Sequence, residues 1–428
     1  MIMCKDKNKI FYLMSALYVF FAFISPLSLT AFSILCALIV LSVIVLDDSK
    51  ALSFIAFSSC FMACFNIQSM FLKMLDLAMV VLLVKQLIIA IKNKNKKSII
   101  FVCAILGFCL VLFGYSLCVA NFKIYKWHQG FGILLTIATI CLLNDIDLKQ
   151  VILYLSFGLI VSSICALLSY VGGVSAKPPF LHDSLCGIRF SAYFNYVNAL
   201  ALYCSLCQTS LLTLFLTKRL NLRKWWWLVA IITIIGLSTF SKSFIAITTF
   251  TYILVCVLGL IQSKSKKKYI TNLCIGALIV GIIFLIFNSY ATSIIKRFYV
   301  DTGYGHGINT ATTGRFEIWK GYIKYLIDHP GFMIFGRGIV ADSVGEFTPH
   351  NLFISILYRL GIVGTLILVA FVVYICIQAK LRKNINYYLP LLIVLINVCF
   401  EDISSSLFTC LPILISAMFV LKNKSIEQ

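Results

Sequence analysis

Residues 349–364 read Pro-His-Asn-Leu-Phe-Ile-Ser-Ile-Leu-Tyr-Arg-Leu-Gly-Ile-Val-Gly, and they join a long polar segment to a long apolar one. On a regular helix, His350 and Gly361 are about three turns apart and share a face, with Gly364 within about 40° of it. This spacing predicts an imidazole above a flat glycine strip that accepts a neighbouring helix or the chain of a ligand. A histidine at the membrane interface, followed by glycines for helix packing, is the alternative interpretation.

The composition around this stretch is that of a membrane protein. The chain has 428 residues, of which 61% are hydrophobic and 12% charged, and its mean hydropathy is +1.01. Apolar runs long enough to cross a bilayer recur from end to end, which excludes a soluble globular domain. The short alternating segments of a transmembrane barrel do not occur. We therefore predict an all-α polytopic integral membrane protein with 12–14 transmembrane helices.

The basic residues predict the orientation of these helices. Clusters such as Lys92–Lys97, Lys218–Lys224 and Lys264–Lys268 fall on one side if the apolar segments alternate in direction. Positively charged loops remain in the cytoplasm, so both termini are expected there. The net charge of +21 is then a determinant of topology and does not predict nucleic-acid binding. All five histidines and the polar segment 289–349 fall on the opposite, outer side.

The chain divides into three predicted parts: N-terminal transmembrane helices (1–288), an outer loop (289–349) and C-terminal transmembrane helices (350–428). The loop contains a predicted amphipathic helix. Thr313-Gly314 can begin this helix, and Asp328 to Gly331 can end it. Its apolar face carries aromatic side chains, which suits a membrane surface or a lid over the helices.

Cations near the outer ends of apolar segments are candidate binding residues. Arg189 begins one predicted apolar segment, Lys242 lies between two others, and Arg315 and Arg337 lie in the loop. Each cation alone can extend to lipid headgroups. Several cations that converge beside one histidine can instead neutralise a diphosphate, which arginine binds through its planar fork and lysine as a point charge.

The spacing His350-Asn351, nine residues, Gly361, two residues, Gly364 resembles the signature of the O-antigen ligase and O-antigen polymerase superfamily. These are bacterial membrane glycosyltransferases that act on lipid-diphosphate-linked glycans. Looser matches to the superfamily's pattern extend over residues 189–365, about two-fifths of the chain. They are Arg189 with Asn198, Ser241-Lys242-Ser243, Gly314-Arg315 with Trp319, and Gly336-Arg337-Gly338. The superfamily has arginine where this chain has Lys242, which keeps the charge but loses bidentate geometry.

The resemblance implies a role for each matching residue. His350 would be the catalytic base, because imidazole titrates near working pH. Arg189, Lys242 and Arg315 would hold the leaving diphosphate. The supporting residues would be Asn351, Gly361, Gly364, Asn198 and Arg337. A diphosphate leaving group is already activated, so we expect neither a metal nor another cofactor.

The implied donor is an undecaprenyl-diphosphate-linked oligo- or polysaccharide at the periplasmic face of the bacterial inner membrane. The acceptor would be lipid A-core for a ligase, or a second lipid-linked repeat unit for a polymerase. The sequence leaves these two open, and the resemblance further implies inversion at the sugar carbon. A flippase for lipid-linked glycans is the alternative of another class. A flippase would carry charges deep within several spans, along a path.

Three further motifs are weaker. Cys204-x-x-Cys207 lies inside a span without a second cysteine pair, so metal or redox chemistry is not expected. Asp145-x-Asp147 is interpreted as a solvated pair in a loop on the cytoplasmic side. Lys85 lies within an apolar segment, and the sequence assigns it no partner.

Overall fold

The computed structural model describes most of the chain. The described residues are 2–61, 68–119, 127–143, 146–175, 178–183, 187–194, 196–268, 314–338, 348–380, 385–400 and 410–421, with a few isolated positions between them. The predicted outer loop is described mainly over 314–338, and residues 297–313 of it lie outside the described part, as does Asp145.

The described chain is almost entirely helical, which confirms the predicted polytopic membrane fold. Six of its helices are long and apolar enough to cross a membrane: Asn8–Leu27, Lys96–Cys118, Leu148–Val171, Val197–Leu216, Lys242–Gln262 and Leu352–Ile375. Shorter apolar helices cover Leu29–Val45, Ile385–Val398 and Leu411–Leu421. The total of 12–14 spans remains a prediction, since this count covers the described residues only.

The fourteen described α-helices are labelled in chain order. They are α1 (Ile2–Ile24), α2 (Leu29–Val45), α3 (Asp48–Ser58), α4 (Gln68–Lys92), α5 (Lys96–Val119), α6 (Trp127–Leu142), α7 (Leu148–Val171), α8 (Val197–Leu216), α9 (Leu222–Ser238), α10 (Lys242–Gln262), α11 (Arg315–Asp328), α12 (Leu352–Lys380), α13 (Leu389–Val398) and α14 (Leu411–Leu421). Short 3-10 helices cover Ser25–Leu27, Ser59–Phe61, Pro330–Phe332 and Ile385–Tyr388.

Helix α8 is the centre of the bundle. It packs against α7, α9, α10, α13 and α14. Of the residues in its membrane-spanning stretch, 83% are buried. Small and weakly polar side chains such as Ser205 and Ser210 are fully buried on it, which lets neighbouring helices approach closely. Gln208 donates to Thr233 on α9 and accepts from Thr248 on α10, at 2.8 and 3.1 Å. Apolar packing and these polar contacts together hold α8, α9 and α10 in register.

A two-stranded antiparallel hairpin precedes α8 and was not expected from the sequence. Its strands are β1 (Phe180–Asp183) and β2 (Gly187–Phe190), with Leu181 paired to Arg189. The prediction that Arg189 begins an apolar segment is therefore wrong, because α8 begins only at Val197. Alternating apolar residues in a short run do not distinguish a strand from the first turn of a helix.

The predicted loop helix is present as α11. Gly314 precedes it with φ +78°, and His329 and Pro330 follow its last residue. Tyr322 and Leu326 are buried against Tyr358 of α12. The amphipathic face therefore packs onto the first part of α12 and places the loop over that helix.

Candidate functional site

His350 lies in a turn that precedes a helix, and not on the helix itself. Its φ is +46°, in the left-handed region, and α12 begins at Leu352. The Asn351 side chain caps α12 by accepting from the Ile354 amide at 3.1 Å, so the helix starts after this residue. The prediction that His350 and Gly361 share a helical face is therefore wrong. His350 is half-buried, and its Nε2 lies 3.4 Å from the Thr348 hydroxyl.

Two hydrogen bonds hold this turn, and a third holds Arg315 beside it. The Asn351 carboxamide donates to the Cys399 carbonyl at 2.9 Å, and the Trp319 indole of α11 donates to the Pro349 carbonyl at 2.7 Å. Arg315 donates to the Phe400 carbonyl, one residue beyond Cys399. Carbonyls at the end of a helix lack intrahelical partners, so the end of α13 accepts the donors from Asn351 and Arg315 readily. The contacts bring the guanidinium of Arg315 and the turn that carries His350 to the same helix end.

The double role of Asn351 gives a first prediction. Asn351→Asp keeps the oxygen that caps α12 but removes the donor to Cys399, whereas Asn351→Ala removes both. We expect the alanine variant to lose about 1–2 kcal/mol of stability, and the aspartate variant to keep the cap while leaving the Cys399 carbonyl without its donor. Thermal unfolding of the purified proteins measures both effects. Equal behaviour of the alanine variant and the wild type would contradict the assignment.

Arg189 contacts the turn between α9 and α10, and Lys242 follows that turn. The Arg189 Nε donates to the carbonyl of Thr239, which ends α9, at 2.8 Å. Lys242 is the first residue of α10, and both cations are half-buried. Arg189 reaches this turn from strand β2, so its predicted place at the start of a helix is wrong. The turn that it contacts leads directly into Lys242, the other predicted cation.

Helix α13 connects the two groups of residues. Asn386, just before α13, accepts from Thr213 at 3.3 Å and from Gln262 at 3.2 Å, and these donors lie in the last turns of α8 and α10. Since α13 packs along both helices, its far end points toward their first residues. We call this the His350 end of the bundle. It carries the first residues of α8, α10 and α12, and the last residues of α9 and α13.

The glycines of the signature form a break in α12. Gly361 has φ +67° and ψ −163°, a conformation essentially confined to glycine, so α12 is two helical pieces. A Cβ on Gly361 would lie 2.3 Å from the Ile334 carbonyl, and one on Gly364 would lie 2.2 Å from Leu360 Cβ. The surface predicted to accept a neighbouring helix or a ligand is therefore occupied at Gly361 by the backbone of residues 334–336.

Residues 333–338 fill this break, and we call them the clip. The amides of Arg337 and Gly338 donate to the carbonyls of Tyr358 and Arg359, at 2.9 and 3.1 Å. In the other direction, the amides of residues 362 and 363 donate to the carbonyls of residues 333 and 334, at 2.8 and 3.2 Å. Backbone groups freed inside a membrane span must find partners within the protein, and the clip supplies four of them.

The Arg337 side chain fixes the clip. Its guanidinium donates to the Tyr358 hydroxyl at 2.9 Å and lies over the Tyr325 ring, 5.3 Å from the centroid. The Tyr115 hydroxyl at the end of α5 donates to the Gly336 carbonyl at 2.9 Å, which adds the end of α5 to the His350 end. Sequence reasoning missed the clip. The sequence signal that could have found it is the pair of closely spaced glycines, Gly336 and Gly338. Glycine adopts positive φ readily, and both residues have positive φ in the structure.

The opposite end of the bundle carries the basic turns. Each of these turns adjoins helices whose other ends lie at the His350 end. The turns are Lys92–Lys97, Lys218–Lys224 and Lys264–Lys268. We call this the lysine end. Lys85, to which the sequence assigned no partner, lies near this end. Its ammonium donates to two carbonyls at the end of α2 and lies 3.2 Å from the Asp48 carboxylate. Asp147 caps α7 through the Gln150 amide, as expected for a loop residue.

The remaining predicted residues have local roles. Asn198 lies in the first turn of α8 and is half-buried. Cys204 and Cys207 are both fully buried, and the Cys207 sulfur lies 2.9 Å from the Ser156 hydroxyl of α7. These thiols pack in the centre of the bundle as small apolar groups.

The fold and these contacts define a class: a polytopic helical membrane protein with a histidine turn and an arginine held together beside a broken helix. Residues 226–369, from α9 into α12, match the family described as O-antigen ligase. The chain therefore contains an O-antigen ligase family domain, of the glycosyltransferase type, and the resemblance seen in residues 349–364 is confirmed. The matched range includes Lys242, Arg315 and His350 but not Arg189. No curated protein matches the chain.

Proposed function

We propose that this protein transfers a glycan from a polyprenyl diphosphate to an acceptor hydroxyl at the His350 end of the bundle. The observation that carries the proposal is the joint fixing of Arg315 and the His350 turn on the end of α13, inside the O-antigen ligase family domain. The turn that holds Lys242 and contacts Arg189 lies at the same end of the bundle.

The reaction requires one proton acceptor and a stabilised leaving group. His350 takes the proton of the acceptor hydroxyl as its oxygen attacks the anomeric carbon. The bond from that carbon to the diphosphate breaks, and the diphosphate leaves with the electron pair. Arg189, Lys242 and Arg315 stabilise its charge, and inversion follows from attack on the face opposite the leaving group. Residues of this chain perform each of these steps, with no metal or nucleotide cofactor.

The His350 end is proposed to face the periplasm, across the inner membrane of a bacterium, and both termini to lie in the cytoplasm. The basic turns collected at the lysine end support this orientation, since such turns remain in the cytoplasm. A flippase requires charges along a path through the spans. Among the described residues, Asp76 is the one charged side chain that is buried, which favours an enzyme with a one-sided site.

We propose the ligase reaction, in which lipid A-core is the acceptor, and the polymerase remains the alternative with the same chemistry. Deletion of the gene followed by gel electrophoresis of surface polysaccharide separates them. Complete absence of attached O-chain supports the ligase, and a single attached repeat unit supports the polymerase. Lipid-linked precursor trapped on the cytoplasmic side would instead support the flippase and overturn the proposal.

Lys242 provides a direct test of diphosphate stabilisation. Lys242→Ala is expected to lower the transfer rate by about 10²–10³-fold, the usual effect of removing one group that stabilises developing charge. Lys242→Arg keeps the positive charge and is expected to retain most of the rate. The rate is measured on purified protein with a lipid-linked donor.

Lys267→Ala is the matched control, because Lys267 is an exposed cation at the lysine end. Its rate should equal that of the wild type. If Lys242→Ala also kept the wild-type rate, Lys242 would have no part in binding the diphosphate.

A further inference from the structure

A second site lies at the lysine end, away from the residues proposed for transfer. A cavity of about 570 Å³ is bounded by α5, α6, α12 and α14. Its walls are mainly aliphatic and aromatic side chains, among them Phe101 and Ala370, and Lys97, Ser98 and Tyr374 also line it. Phe101 and Tyr374 are each 46% exposed, so the cavity reaches the surface of the bundle.

The depth of the cavity matches one leaflet of a bilayer. Along α5 it extends from Lys97 to Phe108, a rise of about 16 Å at ~1.5 Å per residue. The hydrocarbon core of a bilayer is about 30 Å thick, so the cavity covers about half of it. An acyl chain of one leaflet fits this depth, whereas a polyprenyl chain held at the His350 end would have to cross both leaflets.

The mouth of the cavity is strongly basic. Lys92, Lys94, Lys96 and Lys97 are all exposed on the turn that begins α5, and no acidic residue occurs between positions 77 and 143. The first amides of α5 also favour an anion at this position. Such a turn at a membrane surface attracts anionic headgroups.

An independent observation at the mouth points to a bound ligand. The Gln86 side chain is 3% exposed, and within the described residues its Nε2 has no hydrogen-bond partner. It lines a recess of about 30 Å³ that shares Ser98 with the cavity. A buried amide donor without a partner is unfavourable, so an acceptor from outside the chain is expected there.

We infer that this cavity binds one anionic diacyl phospholipid from the leaflet at the lysine end. An acyl chain lies between α5 and α12, the phosphate binds beside Lys97, and an oxygen of the headgroup or glycerol accepts from Gln86. The inference is independent of the proposed transfer reaction, because the cavity shares no residue with that site.

The test places the full-length protein in nanodiscs with equal amounts of phosphatidylglycerol and phosphatidylcholine, and counts retained lipids by native mass spectrometry. Wild-type protein is expected to retain one phosphatidylglycerol in preference to phosphatidylcholine. Lys97→Ala should weaken that retention about fivefold, the effect of one lysine–headgroup interaction. Lys267→Ala removes an exposed lysine on another turn of the lysine end, away from the cavity mouth, and should leave the retention unchanged.

A second pair of variants tests the cavity itself. Ala370→Trp fills the space and should remove the retained lipid whatever its headgroup. Val369→Trp, at a 46% exposed position on the face of α12 turned away from the cavity, should not remove it. Equal retention of the two lipids by wild-type protein, or equal effects of Lys97→Ala and Lys267→Ala, would overturn the inference. So would displacement of phosphatidylglycerol by a polyprenyl diphosphate, since that result assigns the cavity to the donor's lipid chain.

Discussion

His350→Ala is expected to reduce glycan transfer by about 10²–10⁴-fold, the contribution of a general base, while lipid-linked precursor accumulates on the periplasmic side. The imidazole is the proposed proton acceptor, and the alanine side chain has none. The measurement is the transfer rate of purified protein, together with the amount and location of precursor in cells. Precursor that accumulates on the cytoplasmic side would contradict the prediction.

Two variants separate a catalytic from a structural role for His350. His350→Asn keeps a residue type that tolerates the left-handed backbone at φ +46°, but it lacks a basic ring. It should fold like the wild type and remain inactive. His329→Ala is the matched control, because this exposed imidazole stacks on Tyr325, with ring centroids 4.3 Å apart, on the far end of α11. It should transfer glycan at the wild-type rate, and an active His350→Asn would exclude His350 as the base.

Gly361→Ala is expected to destabilise the protein by about 2–6 kcal/mol. Its backbone conformation costs other residues about 1–3 kcal/mol, and overpacking against the clip adds a similar amount. The new Cβ would lie 2.3 Å from the Ile334 carbonyl and 2.5 Å from the Gly336 amide, so the clip would have to leave the break. Thermal unfolding in detergent should show a lower transition temperature, and transfer should be lost with the fold.

Gly321→Ala is the control for this substitution. Gly321 lies within α11, and a Cβ there would have nothing within 4 Å. Alanine in a helix interior is favoured over glycine by about 0.5–1 kcal/mol, so this variant should be slightly more stable than the wild type. If Gly361→Ala and Gly321→Ala unfolded at the same temperature, the clip would not be fixed by the glycine.

The structure of α12 shows where sequence reasoning fails. Apolar periodicity predicts one helix through residues 350–364, because the pattern does not encode the direction of each backbone amide. A break becomes possible only when another segment satisfies the freed groups, and here that segment is the clip, about 25 residues earlier in the chain. The same limit applies to Arg189, whose strand is defined by pairing with residues 180–183.

The candidate site shows the same division. The residue types suited to a diphosphate and to proton transfer could be selected from the sequence, since charge near membrane spans is costly and therefore informative. Their contacts could not be selected. Arg315 binds a carbonyl 85 residues away, and Arg189 binds one 50 residues away.

The sequence by itself determined that this protein is a polytopic helical membrane protein, because apolar length and the positions of lysines are local properties of the chain. It also identified the O-antigen ligase family domain, through the spacing of a histidine and two glycines. Only the tertiary structure decided that the glycines break α12, and that the end of α13 holds Arg315 beside the His350 turn. Both depend on backbone groups that pair with residues distant in the chain, and no local pattern specifies such pairs.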